Sequence, residues 1–483
     1  MKSRSLEALG IPLALVPLAQ RQVAEARRAG LGLTEARLRL AAVVAAPADF
    51  TADPSFAPLA AELVALRAAA PTAAVATPRT APVPWRQWGD DIDAAAIAQM
   101  RQAALLPVAV SAALMPDAHV GYGLPIGGVL ATENAVVPYA VGVDIACRMK
   151  LSVLDAPPEW LDSRRDRLAA ALERETRFGI GAEFGRRGDP QRSRPREHEV
   201  LDDDWNVSPV TRANRDKARA QLGTSGSGNH FVEFGTFTVA ADRAGELGLP
   251  QGGVFLALLS HSGSRGTGAQ ICDHYSRLAM RRCPDLPREM SRLAWLPLDS
   301  PEGREYWEAM QLMGRYAAAN HAVIHRHVAA AIGARPILDV ENHHNFAWEE
   351  EHVVDGVSRR VIVHRKGATP AGAGVLGIIP GSMAAPGYLV RGRGVDAALH
   401  SASHGAGRRM SRTQARETWR WPQVRGFLAD RGVELLSAGI DEVPHAYKDI
   451  HAVMAAQEDL VETLARFDPR LVKMAPEGER PED

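Results

Sequence analysis

Four short glycine-rich motifs place potential metal ligands at the ends of apolar runs. They are Gly142–Cys147, Gly226–Glu233, Ser260–Gly266 and Glu341–Asn345. Together they offer a carboxylate, a thiolate and three imidazoles, a mixed set that suits a borderline divalent ion such as Mn, Zn, Fe or Co. A lone histidine near a strand is more often a packed structural residue. Four such motifs are hard to explain by packing alone.

A fifth motif contains His404, followed by Gly405, Ala406 and Gly407 and then by two arginines. Small residues let backbone N–H groups approach phosphate oxygens, and arginine side chains neutralise them. The imidazole of His404 is therefore a candidate nucleophile toward phosphorus. The alternative is a glycine-rich turn with a surface histidine.

The charge balance limits how the chain can bind nucleic acid. The net charge is −1, so bulk attraction is excluded and any RNA contact needs a local basic patch. The arginine-rich segment 183–204 is the best such candidate, and an exposed loop without a ligand is the alternative reading.

Cysteine usage and hydropathy indicate a cytoplasmic protein. The cysteines are Cys147, Cys272 and Cys283. A small, odd number argues against a disulfide framework. No apolar run reaches the ~18 residues of a transmembrane helix, so we expect no membrane contact.

The chain divides into a helical N-terminal extension with an Ala/Pro linker (1–80), a large domain (85–474) and a polar tail (475–483). In the extension we expect helices at 18–30, 34–46 and 57–70, with the linker at 71–84. In the large domain we expect strands at 105–110, 126–132, 136–143, 254–260 and 360–364. We expect helices at 94–104, 160–176, 211–222, 267–282, 302–332, 411–418, 423–431 and 448–466. Strands and helices mix without βαβ regularity, which favours an α+β fold.

Further motifs occur in the same order as in a known family. They are Met115–Gly123, Pro125–Val129, His364–Ala368, Ile379–Met383 and Asp441–Ile450. With the metal motifs and His404, they make residues 85–474 resemble the RtcB-type RNA ligases. The resemblance implies one large catalytic domain with mixed and antiparallel sheets and surrounding helices. The N-terminal 80 or so residues lie outside it.

The resemblance implies a GTP- and manganese-dependent enzyme with two Mn²⁺ ions per active site. Such enzymes join an RNA 3′-phosphate or 2′,3′-cyclic phosphate to a 5′-hydroxyl in tRNA splicing or RNA repair, and an archease-type activating protein is an implied partner. The family's guanylylated histidine matches His404. Its metal ligands match Asp144, Cys147, His230, His261 and His344.

Nucleotide contacts also follow from the resemblance. They match Asn229, Glu233, Asn345, Pro380, Gly381, Ser382, Met383, His404, Gly405, Ala406, Gly407, Tyr447 and Lys473. Candidate phosphate or RNA contacts are Arg265, Arg408 and Arg412, for which surface salt bridges are the alternative. Asp117 and His119 either bind near the metals or have a structural role in their glycine-rich turn.

Two positions depart from the family pattern. Arg148 follows the metal-ligand cysteine where the family usually has glycine, and Gly387 stands where it usually has serine. The first puts a bulky cation beside the metal motif, and the second removes a hydroxyl that could contact the guanylate.

Three other functions are compatible with these motifs. One is a capping guanylyltransferase that stops after transferring GMP to a 3′-phosphate. Another is a metal-dependent phosphohydrolase that uses bound water. The last is a non-catalytic RNA-binding relic, which the retention of His404 and all five ligand residues argues against.

Overall fold

A computed structural model describes residues 5–6, 9–12, 15–68, 76–186, 193–354 and 356–480, and the chain forms two compact units, 1–74 and 75–483. The helices are α1 (Val16–Arg28), α2 (Leu33–Ala45), α3 (Ala57–Ala68), α4 (Ala94–Ala104), α5 (Pro138–Val141), α6 (Trp160–Ser163), α7 (Arg165–Glu175), α8 (Pro209–Gln221), α9 (Ala241–Ala244), α10 (Arg265–Arg282), α11 (Pro301–Ile332), α12 (Arg412–Thr418), α13 (Trp421–Ala429) and α14 (Ile450–Ala455).

The strands are β1 (Trp85–Gln87), β2 (Ala109–His119), β3 (Ile126–Thr132), β4 (Ala135–Val136), β5 (Arg148–Leu154), β6 (Phe231–Val239), β7 (Gly253–Ser262), β8 (Leu296–Pro297), β9 (Pro336–His343), β10 (Asn345–Val354), β11 (Val357–Lys366), β12 (Ala368–Pro370), β13 (Leu376–Ile379), β14 (Gly387–Gly392), β15 (Ser401–Ser403), β16 (Glu434–Ser437) and β17 (Val461–Met474). The mixture of helices with largely antiparallel sheets confirms the α+β class.

The first unit contains the three predicted helices, each within two residues of its expected ends. Their apolar faces bury a core that includes Val23, Leu40 and Leu59. The amphipathic spacing of such residues was the signal that predicted these helices. Of the predicted linker, 71–75 lie outside the described residues, and 76–79 have no regular structure.

The largest sheet follows the order β13-β14-β17-β6-β7-β5-β9, with β16 beside β17, and a second sheet follows β1-β2-β3-β11-β10. Strand β7 shows why strands of the largest sheet appear in the sequence as continuous apolar segments. Its Leu256 and Leu258 pack on one face with Val328 of α11, and Leu259 packs on the other with Phe237. A strand covered on both faces needs apolar residues at successive positions.

Antiparallel pairing brings the metal motifs to one end of this sheet. Arg148 at the start of β5 pairs with Ser262 at the end of β7 and with His343 at the end of β9. Phe231 at the start of β6 pairs with His261. In antiparallel neighbours the start of one strand lies beside the end of the next, so four distant motifs meet there.

A buried amide joins the two ends of the sheet order. Asn342 of β9 accepts a hydrogen bond from the backbone N–H of Ile378 in β13 at 2.7 Å and donates to the Thr369 hydroxyl at 3.0 Å. These bonds satisfy buried polar groups that would otherwise be costly. They hold β9, which leads into His344, in a fixed position.

Two predicted elements are wrong. The expected strand 136–143 is the end of β4 followed by α5, because Pro138 presets the first helical φ and lacks an N–H to donate to a strand partner. The expected helix 448–466 is the short α14 followed by β17, which pairs with both β6 and β14. Tertiary pairing here overrides the local helical pattern.

Two further elements depart from their predicted bounds. The strand expected at 105–110 begins only at Ala109, and the helix expected at 160–176 is divided at Arg164 between α6 and α7. In the arginine-rich segment, 187–192 lie outside the described residues. Arg196 in the described part pairs with Glu175 at 2.6 Å, so it is tied to the protein surface.

None of the described cysteines forms a disulfide, and all three are buried. In the described part of the chain, no helix is both long and apolar enough to cross a membrane.

The core of the largest sheet gives a stability prediction. Phe237 is fully buried, so we expect Phe237→Ala to lower the free energy of unfolding by about 3–5 kcal/mol through lost burial and a cavity. Val254→Ala, on the neighbouring strand and 49% exposed, is the matched control and should have little effect. Urea denaturation followed by tryptophan fluorescence measures both, and equal midpoints would contradict this packing.

Candidate active site

The five predicted metal ligands lie together at the end of the largest sheet. The Cys147 sulfur is 3.1 Å from Nε2 of His261 and 3.4 Å from Nε2 of His230. Nε2 of His261 is 3.2 Å from Nε2 of His344, and Nε2 of His230 is 3.2 Å from the Asp144 carboxylate. The fold therefore links all five predicted ligand groups in one chain of contacts, in which Cys147, His230 and His261 lie within 4.8 Å of one another.

Neighbouring backbone groups orient these ligands. Nδ1 of His261 hydrogen-bonds the carbonyl of Asn229 at 3.1 Å, which leaves Nε2 directed toward Cys147. The Asp144 carboxylate accepts from the N–H of Ser264 at 2.9 Å. It fills the space where a side chain at Gly263 would stand, which explains the glycine in that motif.

The ionisation of these groups suits a metal cation. Burial lowers the pKa of His261 to about 3 and that of His344 well below its usual value, so both imidazoles are neutral and can act as ligands. Burial alone would raise the pKa of Asp144, but the His230 contact and the Arg265 charge lower it to about 2. Electron-pair donors in mutual contact repel one another unless a proton or a cation lies between them, so this donor set fits a divalent ion.

His404 lies beside this cluster, and Asp117 holds it. The His404 and His344 ring centroids are 5.0 Å apart. Oδ2 of Asp117 accepts hydrogen bonds from Nδ1 of His404 at 2.7 Å, from the His404 backbone at 3.0 Å and from that of Gly405 at 3.3 Å. Gly407, at φ +74°, approaches the Asp117 carbonyl so closely that no Cβ fits. Asp117 is thus a positioning residue for His404.

A cavity extends from His404 between the largest sheet and the loop before β14. Most of the predicted nucleotide contacts line it: Asn229, Glu233, Pro380, Gly381, Ser382, Met383, His404, Gly405, Ala406, Gly407 and Tyr447. Glu233 stands out chemically. It is 4% exposed and makes no side-chain hydrogen bond or ion pair within the described ranges, and burial raises its pKa well above the usual value.

Two predicted nucleotide contacts have other surroundings. Asn345 accepts from the N–H of Gly367 at 2.8 Å and lines a wider part of the cavity beside Asp144. Lys473 is not among the residues that line either part of the cavity, and its ammonium pairs with Glu173 at 2.8 Å. Its neighbours on β17, Val472 and Met474, do line the cavity, as alternation along a strand requires.

The three predicted phosphate-binding arginines differ in accessibility. Arg265 is 2% exposed and begins α10 next to the metal cluster, with Nε donating to the Thr224 hydroxyl at 3.2 Å. Arg408 lines the cavity and pairs with Glu442 at 3.1 Å, and Arg412 pairs with Asp441 at 3.0 Å. Of the three, only Arg408 lines both the narrow and the wide part of the cavity.

The two departures from the family pattern are both accommodated. The Arg148 guanidinium pairs with Glu341 at 3.2 Å and donates to the carbonyl of Gly314 at 3.2 Å, and Arg148 does not line the cavity. Gly387 lines the cavity, where an added Cβ would lie 3.3 Å from Pro380.

Several apolar lining residues were not predicted. Phe231, Met149 and Met474 line the cavity, but each reads in the sequence as an ordinary core residue of a strand. For Phe231 its position directly after His230 was a usable signal, because a residue next to a ligand at a strand start lies near the site.

Comparison with known proteins identifies the family. The family model described as tRNA-splicing ligase RtcB matches residues 99–474. An RNA-splicing ligase RtcB of Escherichia coli K12 is 32% identical over 409 residues, covering 80% of this chain and 96% of that protein. One from Mycobacterium tuberculosis H37Rv is 35% identical over 433 residues, covering 77% and 98%. The tRNA-splicing ligase RtcB of Nanoarchaeum equitans is 31% identical over 433 residues, covering 77% and 90%.

The class that these matches define is that of the RNA-splicing ligases. The chain belongs to the RtcB family.

The ligand cluster gives a metal-binding prediction. Removing one imidazole by His261→Ala should weaken the binding of a divalent ion more than tenfold, since even the outer-shell partners of ligands typically contribute that much. Titration calorimetry with Mn²⁺ and with Zn²⁺ measures the affinities. His274→Ala, which removes an exposed histidine of α10 that is absent from the cavity lining, is the control, and equal losses in both variants would contradict a site at His261.

Glu233 gives a pH prediction. Because its pKa is raised in the folded protein, the folded state binds more protons than the unfolded state above about pH 4.5. The contribution of the protonated Glu233 carboxyl to stability is fully present below the pKa of the unfolded state and is lost as the pH rises through the pKa of the folded state. We expect Glu233→Gln to be more stable than wild type at pH 8 and to show a smaller difference at pH 4. Urea midpoints across this range measure it, and a constant difference would contradict the raised pKa.

Proposed function

We propose that the protein is a GTP- and manganese-dependent RNA ligase. It joins an RNA 3′-phosphate or 2′,3′-cyclic phosphate end to a 5′-hydroxyl end through a histidine–GMP intermediate on His404. Family membership supports the reaction class. The observation that carries the mechanism is the 2.7 Å hydrogen bond between Nδ1 of His404 and Asp117, beside the metal cluster.

Asp117 prepares His404 for nucleophilic attack. A carboxylate oxygen that already accepts two backbone N–H bonds favours a proton on Nδ1 of His404 as its third donor. The proton on Nδ1 leaves the Nε2 lone pair available. The same arrangement holds the ring against rotation, so Nε2 has one direction of attack.

The reaction proceeds in three displacements. Nε2 of His404 forms a bond to the α-phosphorus of GTP as the bond to the β-phosphate oxygen breaks and pyrophosphate leaves. An oxygen of the RNA 3′-phosphate then attacks the same phosphorus, and His404 departs. The RNA 5′-hydroxyl finally attacks the activated 3′-phosphate, loses its proton and releases GMP.

Cationic groups counter the phosphate charge at each step. Asp144, Cys147, His230, His261 and His344 are the residues that would hold manganese, which when bound neutralises phosphate oxygens. Arg408 lines the same cavity, with its guanidinium held by Glu442 and the Asp441 carbonyl, and its charge can counter that of a phosphate bound there.

Glu233 supplies a basis for choosing guanine. As a carboxylate, Glu233 could accept both the N1–H and the amino group of guanine, and these two donors would stabilise its charged form on binding, whereas adenine lacks two parallel donors. A site built for a hydrogen bond discriminates strongly against a ligand that cannot make it.

The first experiment is covalent labelling with α-labelled GTP and manganese, followed by denaturing electrophoresis. Wild type should retain an acid-labile, alkali-stable label that ATP does not replace. His404→Ala should retain none. Asp117→Asn should label roughly 10²- to 10⁴-fold more slowly because the preferred tautomer is lost.

His400→Ala is the matched control and should label like wild type. An unlabelled wild type that binds metal would contradict the proposal and favour hydrolysis. Incubation of labelled protein with RNA then separates joining from capping, since capping leaves GMP on the 3′-phosphate.

A further inference from the structure

An exposed aromatic side chain lies at the mouth of the active site. Tyr122 is 51% exposed and lines the same cavity of about 720 Å³ as Cys147 and His404. Large apolar groups left in water gain nothing from burial. Single exposed apolar side chains are common on protein surfaces, but this ring lines the cavity that contains His404, where a bound ligand would cover it.

The backbone under Tyr122 is fixed from several sides. The Gln99 side chain donates to the carbonyl of Gly121 at 2.6 Å and accepts from its N–H at 3.0 Å. The buried ammonium of Lys366 donates to the carbonyl of Tyr122. Gly123, at φ +74°, packs so closely on Arg292 that an added Cβ would lie 2.8 Å from the Arg292 carbonyl. The loop is thus a rigid support for an exposed side chain.

The ring is also held in one orientation. The Arg292 guanidinium lies 4.5 Å from the Tyr122 ring centroid, so one face of the ring is covered by a cation. The exposed area then belongs to the opposite face and edge. A preorganised flat surface of this kind loses little entropy when a planar group stacks on it.

The charges around the cavity include a cation available to an anionic ligand. Its basic lining residues are Lys366, Arg408, Arg409, Arg412 and Lys448, against the acidic Asp91, Asp93 and Asp144. Arg408 and Arg412 pair with Glu442 and Asp441, and burial lowers the pKa of Lys366 to about 7. Arg409 is exposed, and within the described ranges its side chain makes no hydrogen bond or ion pair. A single RNA strand fits both the exposed Arg409 and the exposed Tyr122 ring, since it carries a phosphate backbone and planar bases.

We propose that Tyr122 is a stacking platform for an unpaired nucleobase of the RNA end whose phosphate reaches His404. The inference rests on the proposed ligase function and deepens it. Because every base has an aromatic face, the platform selects single-stranded ends over paired ones without reading their sequence.

The test is the binding of a short single-stranded RNA with a 3′-phosphate, measured by fluorescence anisotropy without GTP. Tyr122→Ala should weaken binding roughly tenfold, within the range of one base–aromatic stack. Tyr122→Phe, which keeps the ring, should bind like wild type. Val357→Ala, 55% exposed on β11 and absent from the cavity lining, is the control.

Abasic RNA separates stacking from a structural effect. When the base at each terminal position is removed in turn, one abasic RNA should bind wild type and Tyr122→Ala equally. The proposal would be overturned if Tyr122→Ala bound intact RNA as tightly as wild type. It would also be overturned if Tyr122→Ala bound every abasic RNA more weakly than wild type by the same factor. Tyr122→Ala should still form the His404–GMP label, because labelling uses GTP and not RNA. If wild type itself does not label, the ligase function has failed rather than the stacking proposal.

Discussion

The antiparallel register between β5 and β7 is the constraint on which the active site depends. It sets Met149 opposite His261 and thereby places Cys147, two residues earlier, against the His261 imidazole. A slip of one residue would turn His261 to the other face of the sheet. The two faces of β7 pack against different partners, Val328 on one side and Phe237 on the other, so a slip would disrupt close packing on both faces. The core that stabilises the fold therefore also fixes the ligand residues.

Burial gives the site its chemical character. In a low-dielectric cavity the imidazoles of His261 and His344 stay neutral, and burial raises the pKa of the Glu233 carboxyl well above its usual value. The same surroundings strengthen the bond from His404 to Asp117, because little water competes for it. These buried residues are the ones to which the proposed function assigns a cation, a nucleotide base and a phosphate.

Sequence reasoning located the ligands better than the elements that carry them. His230, His261 and His344 were identifiable because each follows or ends an apolar run in a glycine-rich motif. The role of Asp117 was left open, since its contact with His404 joins positions 287 residues apart and no local pattern encodes it. The local pattern predicts a helix across the start of β17, because its strand partners β6 and β14 are also distant in the sequence. Arg148 looked disruptive in sequence, but only the structure reveals Glu341 and Gly314 as its partners.

The separation of the ligands along the chain has a consequence for synthesis. Asp144 and Cys147 leave the ribosome long before His344, and His404 with its cavity wall on β17 follows later still. A high proportion of non-local pairing slows folding, and here it also delays the assembly of the site to the end of translation. A chain interrupted between His344 and His404 has all five predicted metal ligands but lacks His404, so such a product could not form the histidine–GMP intermediate proposed above.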